Sequence, residues 1–189
     1  MPRIQILIDR ISQNSDQLAF RQLFMHYSER LTFFAGALLR SREEAEEVVA
    51  DVFVKLWLQR EKLAEIHHFQ TYLYTAVRNT AINYRSKNRL VFDELDHNSS
   101  ALTPYVISPE ETIISRENLQ QIEKAINQLP VRCRLIFKLV KEDGLSYREV
   151  ADVLDISVNT VNAQISIALK KLGSAIDLKK SFSFSLARK

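Results

Sequence analysis

Short amide and hydroxyl side chains repeat along residues 159–164, just after a serine that can cap a helix. Asn and Gln side chains can make paired hydrogen bonds to an adenine edge in the major groove of DNA, and a helix N-terminus favours a phosphate group. These residue types predict contacts to duplex DNA. The alternative is a solvated face of a small helical bundle, because polar helix faces are common. The set is Ser157, Asn159, Thr160, Asn162, Ala163 and Gln164.

Residues 145–172 carry the signals of a helix-turn-helix that would position these side chains. Ser146 and Glu149 have the spacing of a capping box. Ala151 is small, as close helix crossing requires, and Asp155 lies in the turn, where Asp tolerates a left-handed backbone. Ser157 can cap the second helix. Two caps, a turn and a small residue in register favour DNA binding over an ordinary pair of helices.

The second of these helices is expected to end at Gly173, after Lys170 and Lys171. Residues 174–189 then form a basic tail that matches no motif. The inward stripe of the helix is predicted to be Val161, Ile165, Ala168, Leu169 and Leu172.

A second set of side chains, at residues 69–89, combines aromatic rings with cations and amides. Rings stack on bases and cations hold phosphates, so this mixture is typical of single-stranded nucleic-acid binding. For any single ring, a place in the core is the alternative. The set is Phe69, Tyr72, Tyr74 and Tyr84, interleaved with Arg78, Asn79, Asn83, Arg85, Lys87 and Arg89.

A helix beginning after Ser41 is apolar on more than one side. Ser41 and Glu44 have capping-box spacing. Val54, Trp57 and Leu58 lie off the core face, which favours a partner protein on that side. An ordinary central helix of a three-helix bundle is an equally weighted alternative. The predicted core face is Ala45, Val48, Val49, Val52, Phe53 and Leu56, and the predicted outward stripe is Glu47, Asp51, Val54 and Leu58.

The composition favours packed helices. The chain has 189 residues, of which 46% are hydrophobic and 26% charged, with only 3 Gly and 4 Pro. A single cysteine excludes an internal disulfide framework and points to the cytoplasm. We find no signal peptide and no apolar run long enough to cross a bilayer. The net charge of +3 permits a nucleic-acid partner.

No catalytic constellation, nucleotide-binding loop or metal-ligand cluster is visible. The adjacent His67 and His68 are typical of a solvated loop, and Cys133 lies on an apolar helix face and is predicted to be core. We therefore expect no enzyme activity, no cofactor and no metal. Residues 91–115 contain five acidic residues and no Lys or Arg, which is typical of a linker.

Three stretches together resemble the extracytoplasmic-function (ECF) sigma factors of bacterial RNA polymerase. They are "AEEVVADVFVKLW", "FQTYLYTAVRNTAINY" and the segment from Leu129 to Leu172. They are similar to regions 2.2, 2.3–2.4 and 4, and the resemblance covers about residues 16–173 in the right order. It implies an all-α fold with two small helical domains: region 2 at 1–88, an acidic flexible linker at 89–108, region 4 at 109–173, and the tail at 174–189.

The resemblance also implies residue roles. Glu47, Asp51, Val54, Trp57 and Leu58 would bind core polymerase at the clamp of its β′ subunit, with β as a further partner. The loop from Glu61 to Phe69, with Asn79, would take a base flipped out of the −10 element. The −10 set is Phe69, Tyr72, Arg78, Asn79, Asn83 and Arg85; the −35 set is Tyr147, Ser157, Asn159, Thr160, Asn162, Ala163 and Gln164. An anti-sigma factor is a further implied partner.

The chain departs from the family in its recognition helix. Asn162, Gln164 and Ile167 stand where Lys or Arg is usual. We expect weaker intrinsic −35 affinity, or a preference for A·T-rich sites with thymine-methyl contacts. A helix-turn-helix regulator that acts without core polymerase, and a helical adaptor with no nucleic-acid role, are the alternative functions.

Overall fold

A computed structural model of the chain describes residues 4–39, 41–89 and 122–186. Within those ranges every regular element is a helix, which confirms the predicted all-α class. The chain divides into two compact units, Met1–Ala101 and Leu102–Lys189. The predicted acidic linker from residue 90 onward lies outside the described residues. So does Ser108, which has the spacing of a further capping box with Glu111 and predicts a helix start.

The first unit contains four α-helices and a short 3₁₀-helix in its described part. They are α1 (Ile4–Asn14), α2 (Gln17–Gly36), α3 (Arg42–Leu58), the 3₁₀-helix (Arg60–Glu65) and α4 (Phe69–Arg89). Helix α1 was not predicted. Leu7, Ile8 and Ile11 are buried at helical spacing, so α1 covers part of the core with one face.

Side chains cap two helices of the first unit, and the cap predicted at Ser41 is confirmed. Asp16 caps α2, because the Leu18 and Ala19 amides donate to its Oδ1 at 2.9 and 3.0 Å. The hydrogen bond from the Ala19 amide, and then that from Arg10, lower the pKa of Asp16. Ser41 caps α3, since the Glu44 amide donates to Ser41 Oγ at 3.1 Å.

An aromatic core joins α2 to its two neighbours. Phe24 meets Phe53 of α3 with ring centroids 4.9 Å apart. Phe34 meets Tyr74 of α4 at 5.1 Å. The six α3 residues predicted to face the core are all buried. Helix α3 is therefore held along one face, and its opposite face is left to solvent.

The described part of the second unit begins with a short helix at residues 122–127, here α5. It continues with α6 (Val131–Lys141), α7 (Tyr147–Leu154) and α8 (Val158–Leu186). Pro130 immediately precedes α6, a position at which proline can start a helix. Buried Arg134 donates from Nη1 to the carbonyl oxygen of Asn127 at 2.8 Å, which ties α5 to α6.

Two expectations for α8 are wrong. The helix does not end at Gly173 but continues to Leu186, and Ser174 donates to the Lys170 carbonyl at 3.0 Å. Glycine costs about 1 kcal/mol in a helix relative to Ala, which does not end one by itself. Leu169 is 52% exposed and does not join the inward stripe, because it lies about 100° around the helix from buried Ala168. In α5, the helical spacing of Leu119, Ile122 and Ile126 predicts that all three face the core, but Ile122 is exposed.

The turn between α7 and α8 depends on Asp155, whose backbone is left-handed with φ 55° and ψ 54°. A β-branched residue fits this conformation poorly, so Asp155→Val should destabilise the turn by about 1–2 kcal/mol. Asp155→Asn is the matched control, because Asn tolerates the same backbone. Hydrogen–deuterium exchange of α7 and α8 amides should accelerate roughly 5- to 30-fold in the Val variant. Equal protection in both variants would show that the turn is not strained.

Candidate polymerase and nucleic-acid interfaces

One face of α3 presents two large apolar side chains to solvent. Val54 is 58% exposed and Leu58 is 72% exposed, one helical turn apart. Glu47 and Asp51 are exposed on the same face, toward the start of the helix. We call these four residues the α3 stripe. Its apolar end and its acidic end are both accessible to a partner.

The structure does not bring Trp57 into the α3 stripe. The Trp57 ring is half-buried, 5.0 Å from the ring of Phe20. The guanidinium of Arg60 also lies over the indole, 5.0 Å from the ring centroid. Trp57 therefore borders the stripe as a partly packed residue.

A hydrogen bond joins the acidic end of the α3 stripe to α4. Tyr84 donates from its hydroxyl to Glu47 Oε2 at 3.0 Å. Tyr84 is half-buried and Glu47 is exposed. A carboxylate that accepts a phenolic hydrogen bond is held in one orientation, so Glu47 is more ordered than an ordinary surface glutamate.

One member of the predicted −10 set is buried in the structure. Phe69 is 6% exposed, and its ring packs near Tyr27 with centroids 6.1 Å apart. Its ring would have to leave the core to stack on a base. Tyr74 is likewise buried, against Phe34. For these two rings the core interpretation is right, because α4 lies against α2 where they project.

The other members of that set lie at the surface of α4. Tyr72 is 40% exposed. Asn79 and Asn83 are exposed at positions seven and eleven residues further on, so all three lie on one side of the helix. Arg78 is half-buried, and exposed Arg85 donates to the carbonyl of Leu38 at 3.4 Å.

The chain between α3 and α4 is fixed at both ends and exposed between them. Leu63 of the 3₁₀-helix is buried, and so is Phe69 at the start of α4. Residues 61–68, here called the 61–68 segment, include exposed Glu65, His67 and His68. Sequence reasoning assigned no role to Arg60, which immediately precedes this segment. Arg60 lies three residues after Trp57, about one helical turn away, and this spacing could have predicted the contact between the two side chains.

The second unit contains the predicted helix-turn-helix, α7 and α8. Its capping box is complete: the Ser146 amide donates to Glu149 Oε2 at 2.8 Å, and the Glu149 amide donates to Ser146 Oγ at 3.2 Å. Ser157 caps α8, because the Thr160 amide donates to Ser157 Oγ at 3.0 Å. The Ser157 and Thr160 hydroxyls are also 2.8 Å apart and hydrogen-bonded.

The start of α8 presents a polar surface with few charges. Asn159, Asn162 and Ala163 are exposed, and Gln164 is half-buried. Ile167 follows on the same surface and is exposed. The hydroxyls of Ser157 and Thr160 are hydrogen-bonded to each other in the cap, so they are less available to DNA. Tyr147 of α7 is half-buried. The amides are thus the groups best placed to read a base edge.

Cys133 lies behind this surface, in the core, as predicted. It is buried, and its thiol donates to the backbone carbonyl of Gln164 at 3.3 Å. Burial raises the pKa of the Cys133 thiol. This contact links α6 to α8 and leaves the side-chain amide of Gln164 unaffected.

Across the described ranges, no three His, Cys, Asp or Glu side chains are grouped so that they could hold a metal ion. Among the helices of those same ranges, none has the length and apolar character that a membrane crossing needs.

Two protein families match the chain, one in each unit. The family described as Sigma-70 region 2 matches residues 23–91, and that described as Sigma-70, region 4 matches residues 119–172. The first match spans α3 and α4, and the second spans the helix-turn-helix. The two families therefore cover the surfaces described above.

Proteins described as ECF RNA polymerase sigma-E factors match this chain over most of its length. The ECF RNA polymerase sigma-E factor of Haemophilus influenzae is 30% identical over 182 residues, covering 91% of this chain and 94% of the relative. That of Escherichia coli K12 is 27% identical over 180 residues, covering 91% and 93%. The sigma factor RpoE, solved with the anti-sigma factor NepR from Bartonella quintana, shares the fold with a TM-score of 0.54. It is 23% identical and covers 84% of this chain and 96% of that one.

Both sigma regions are thus present in order, and a relative at 30% identity is matched over nearly its whole length. The chain belongs to the ECF family of RNA polymerase sigma factors.

Proposed function

We propose that this sigma factor binds core RNA polymerase through the α3 stripe, holds melted −10 DNA with the 61–68 segment and α4, and reads the −35 element as duplex with α8. In this assignment residues 1–88 act as region 2 and residues 109–173 as region 4, with residues 89–108 as the tether and 174–189 as a tail.

The exposure of Val54 and Leu58 is the observation that carries this proposal. Two large apolar side chains on one side of a helix that already buries its opposite face are typical of a protein-binding site. The carboxylates of Glu47 and Asp51 add a charged edge that fixes the orientation of the partner. We assign the β′ clamp of core polymerase to this surface, with Trp57 at its margin and the β subunit as a second contact.

The −10 assignment depends on the mixture of groups on α4. The Tyr72 ring offers a surface for base stacking, the Asn79 and Asn83 amides offer hydrogen bonds to a base edge, and Arg85 offers charge to the backbone. Arg78 lies between them, and Phe69 supports the start of α4 from the core. Flipping a base costs a few kcal/mol of stacking, which such contacts can recover.

The −35 assignment depends on the start of α8. Asn162 and Gln164 can pair with adenine edges, and Ala163 and Ile167 can contact thymine methyl groups. The rest of this surface is formed by Tyr147, Ser157, Asn159 and Thr160. The N-terminus of α8 favours a phosphate of the DNA backbone. We therefore infer that α8 prefers A·T-rich −35 sites and that charge contributes only modestly to its affinity for DNA.

An anti-sigma factor is a further partner in this proposal. It is supported by the structurally similar RpoE, which was solved in complex with the anti-sigma factor NepR. We place the protein in the cytoplasm at the nucleoid, without membrane insertion. Promoter opening here requires differential binding to melted DNA and no chemistry by the chain itself, so neither a cofactor nor a metal is assigned.

The direct test combines the purified chain with core RNA polymerase and a library of genomic promoters. We expect the chain to bind core and to direct initiation at a defined subset of promoters. A regulator that acts without core polymerase would instead bind duplex DNA by itself. A helical adaptor would bind neither core polymerase nor DNA. Either of those results would reject the proposed function.

A further inference from the structure

We propose that Arg60 is a positioning residue for −10 recognition: with Ser15 it forms a brace that holds the 61–68 segment in the shape that accepts a flipped base. This inference rests on the proposed function of that segment. It adds a residue and an element, Arg60 and α1, to the recognition of promoter DNA.

Arg60 is fixed at three points by two other parts of the first unit. Its Nε donates to Ser15 Oγ at 2.7 Å, across 45 positions of sequence. Its Nη1 donates to the Trp57 carbonyl at 3.1 Å. Its guanidinium also lies over the Trp57 ring, 5.0 Å from the centroid. A planar guanidinium with these three contacts has one orientation, which the point charge of a lysine would not reproduce.

Ser15 occupies the junction of α1 and α2 in a conformation that serine rarely adopts. Its φ is +50°, and its amide donates to the carbonyl of Ile11 at 3.0 Å. Asp16, the next residue, caps α2 and is paired with Arg10 at 2.6 Å. A left-handed non-glycine residue persists where its surroundings determine it. The junction is thus fixed on both sides, with its hydroxyl directed at Arg60.

Helix α1 also supports the 3₁₀-helix with which the 61–68 segment begins. Leu7, Ile8 and Ile11 are buried on α1, and Leu63 of the 3₁₀-helix is 1% exposed. Helix α1 packs against the 3₁₀-helix, and each of the two contributes buried apolar side chains. The brace and the apolar contact therefore hold the first half of the 61–68 segment, and buried Phe69 holds its end.

A segment anchored in this way loses less conformational freedom when DNA binds than an unanchored one. The consequence is specific to recognition of the flipped base. The α3 stripe lies on a helix that its own core face holds in place. Trp57, at the margin of that stripe, touches Arg60 but is also packed on the Phe20 ring, 5.0 Å away. Core binding therefore does not need the brace. Loss of the brace should therefore weaken discrimination between bases at the flipped position and spare polymerase affinity.

The test uses polymerase holoenzyme and single-stranded −10 oligonucleotides with each of the four bases at the most discriminating position. Arg60→Lys keeps the charge and loses the planar contacts. Ser15→Gly removes the hydroxyl while suiting the left-handed backbone, so strain cannot explain its effect. The measured quantity is the ratio of the affinities for the best-bound and the worst-bound base. We expect each variant to lower this ratio roughly threefold to tenfold, which corresponds to the loss of one hydrogen bond. Combining the two should add little further loss.

Arg21→Lys, at an exposed position on α2, is the matched control and should leave the ratio unchanged. Amide exchange in residues 61–68 should accelerate in Arg60→Lys and Ser15→Gly. An unchanged base ratio in both variants overturns the brace, as does a parallel loss of core affinity, which would indicate a general structural role. Absence of base discrimination in the unmodified protein would overturn the proposed function of the segment, and the brace with it.

Discussion

Replacing Asp51 and Leu58 together with arginine should abolish binding to core RNA polymerase. Both side chains are exposed, Leu58 by 72%, so the change removes no contact of the core. Arginine is a good helix former, so α3 should persist. Interface residues of this kind contribute about 2 kcal/mol or more each. We expect affinity for purified core polymerase to fall at least roughly 100-fold in a binding titration, with unchanged helix content by circular dichroism.

The matched control is the pair Leu18→Arg with Glu29→Arg on α2. It replaces one exposed leucine and one exposed carboxylate, so it changes the net charge by the same amount in the same unit. We expect this pair to bind core polymerase normally. If both double variants lose binding, added charge rather than the α3 stripe explains the effect. If the α3 variant binds as well as the unmodified chain, the stripe is not the polymerase interface.

Local signals in the sequence were sufficient to place most helix ends. A cap joins residues two or three positions apart, so the roles of Ser41, Ser146 and Ser157 follow from spacing alone. The same is true of Asp155, because few residues tolerate the left-handed turn that two closely spaced helices require. The phase of α3 was also predictable, since its six buried positions and the opposite exposed stripe follow from 3.6 residues per turn.

Features that depend on distant contacts were not predictable. Helix α1 is short, and the 3₁₀-helix against which it packs lies some fifty positions away in sequence. The brace between Ser15 and Arg60 has the same origin. Phe69 and Tyr72 are both aromatic at the start of α4, and only the packing of α4 on α2 decides which is buried. Likewise, Gly173 carries a local stop signal that the continuing helix α8 overrides.

Removal of the Asn162 and Gln164 amides should weaken recognition of the −35 element. Asn162 is exposed, and the contacts to Ser166 and Cys133 involve only the backbone carbonyls of residues 162 and 164. Alanine at both positions should therefore leave the helix-turn-helix intact. Each lost bidentate contact to a base is worth about 1–3 kcal/mol. Because two such contacts are lost, we expect holoenzyme to lose roughly 30-fold or more in preference for its −35 sequence over a scrambled one.

The dependence of binding on salt separates base contacts from phosphate contacts in this experiment. Neither Asn nor Gln carries a charge, so the slope of log affinity against log salt should be the same in the double variant and the unmodified protein. Gln128→Ala, at an exposed position outside the helix-turn-helix, serves as the matched control and should change neither quantity. A reduced slope would mean that α8 had shifted on the DNA backbone. An unchanged preference for the −35 sequence would mean that α8 reads DNA through other residues, or does not read it.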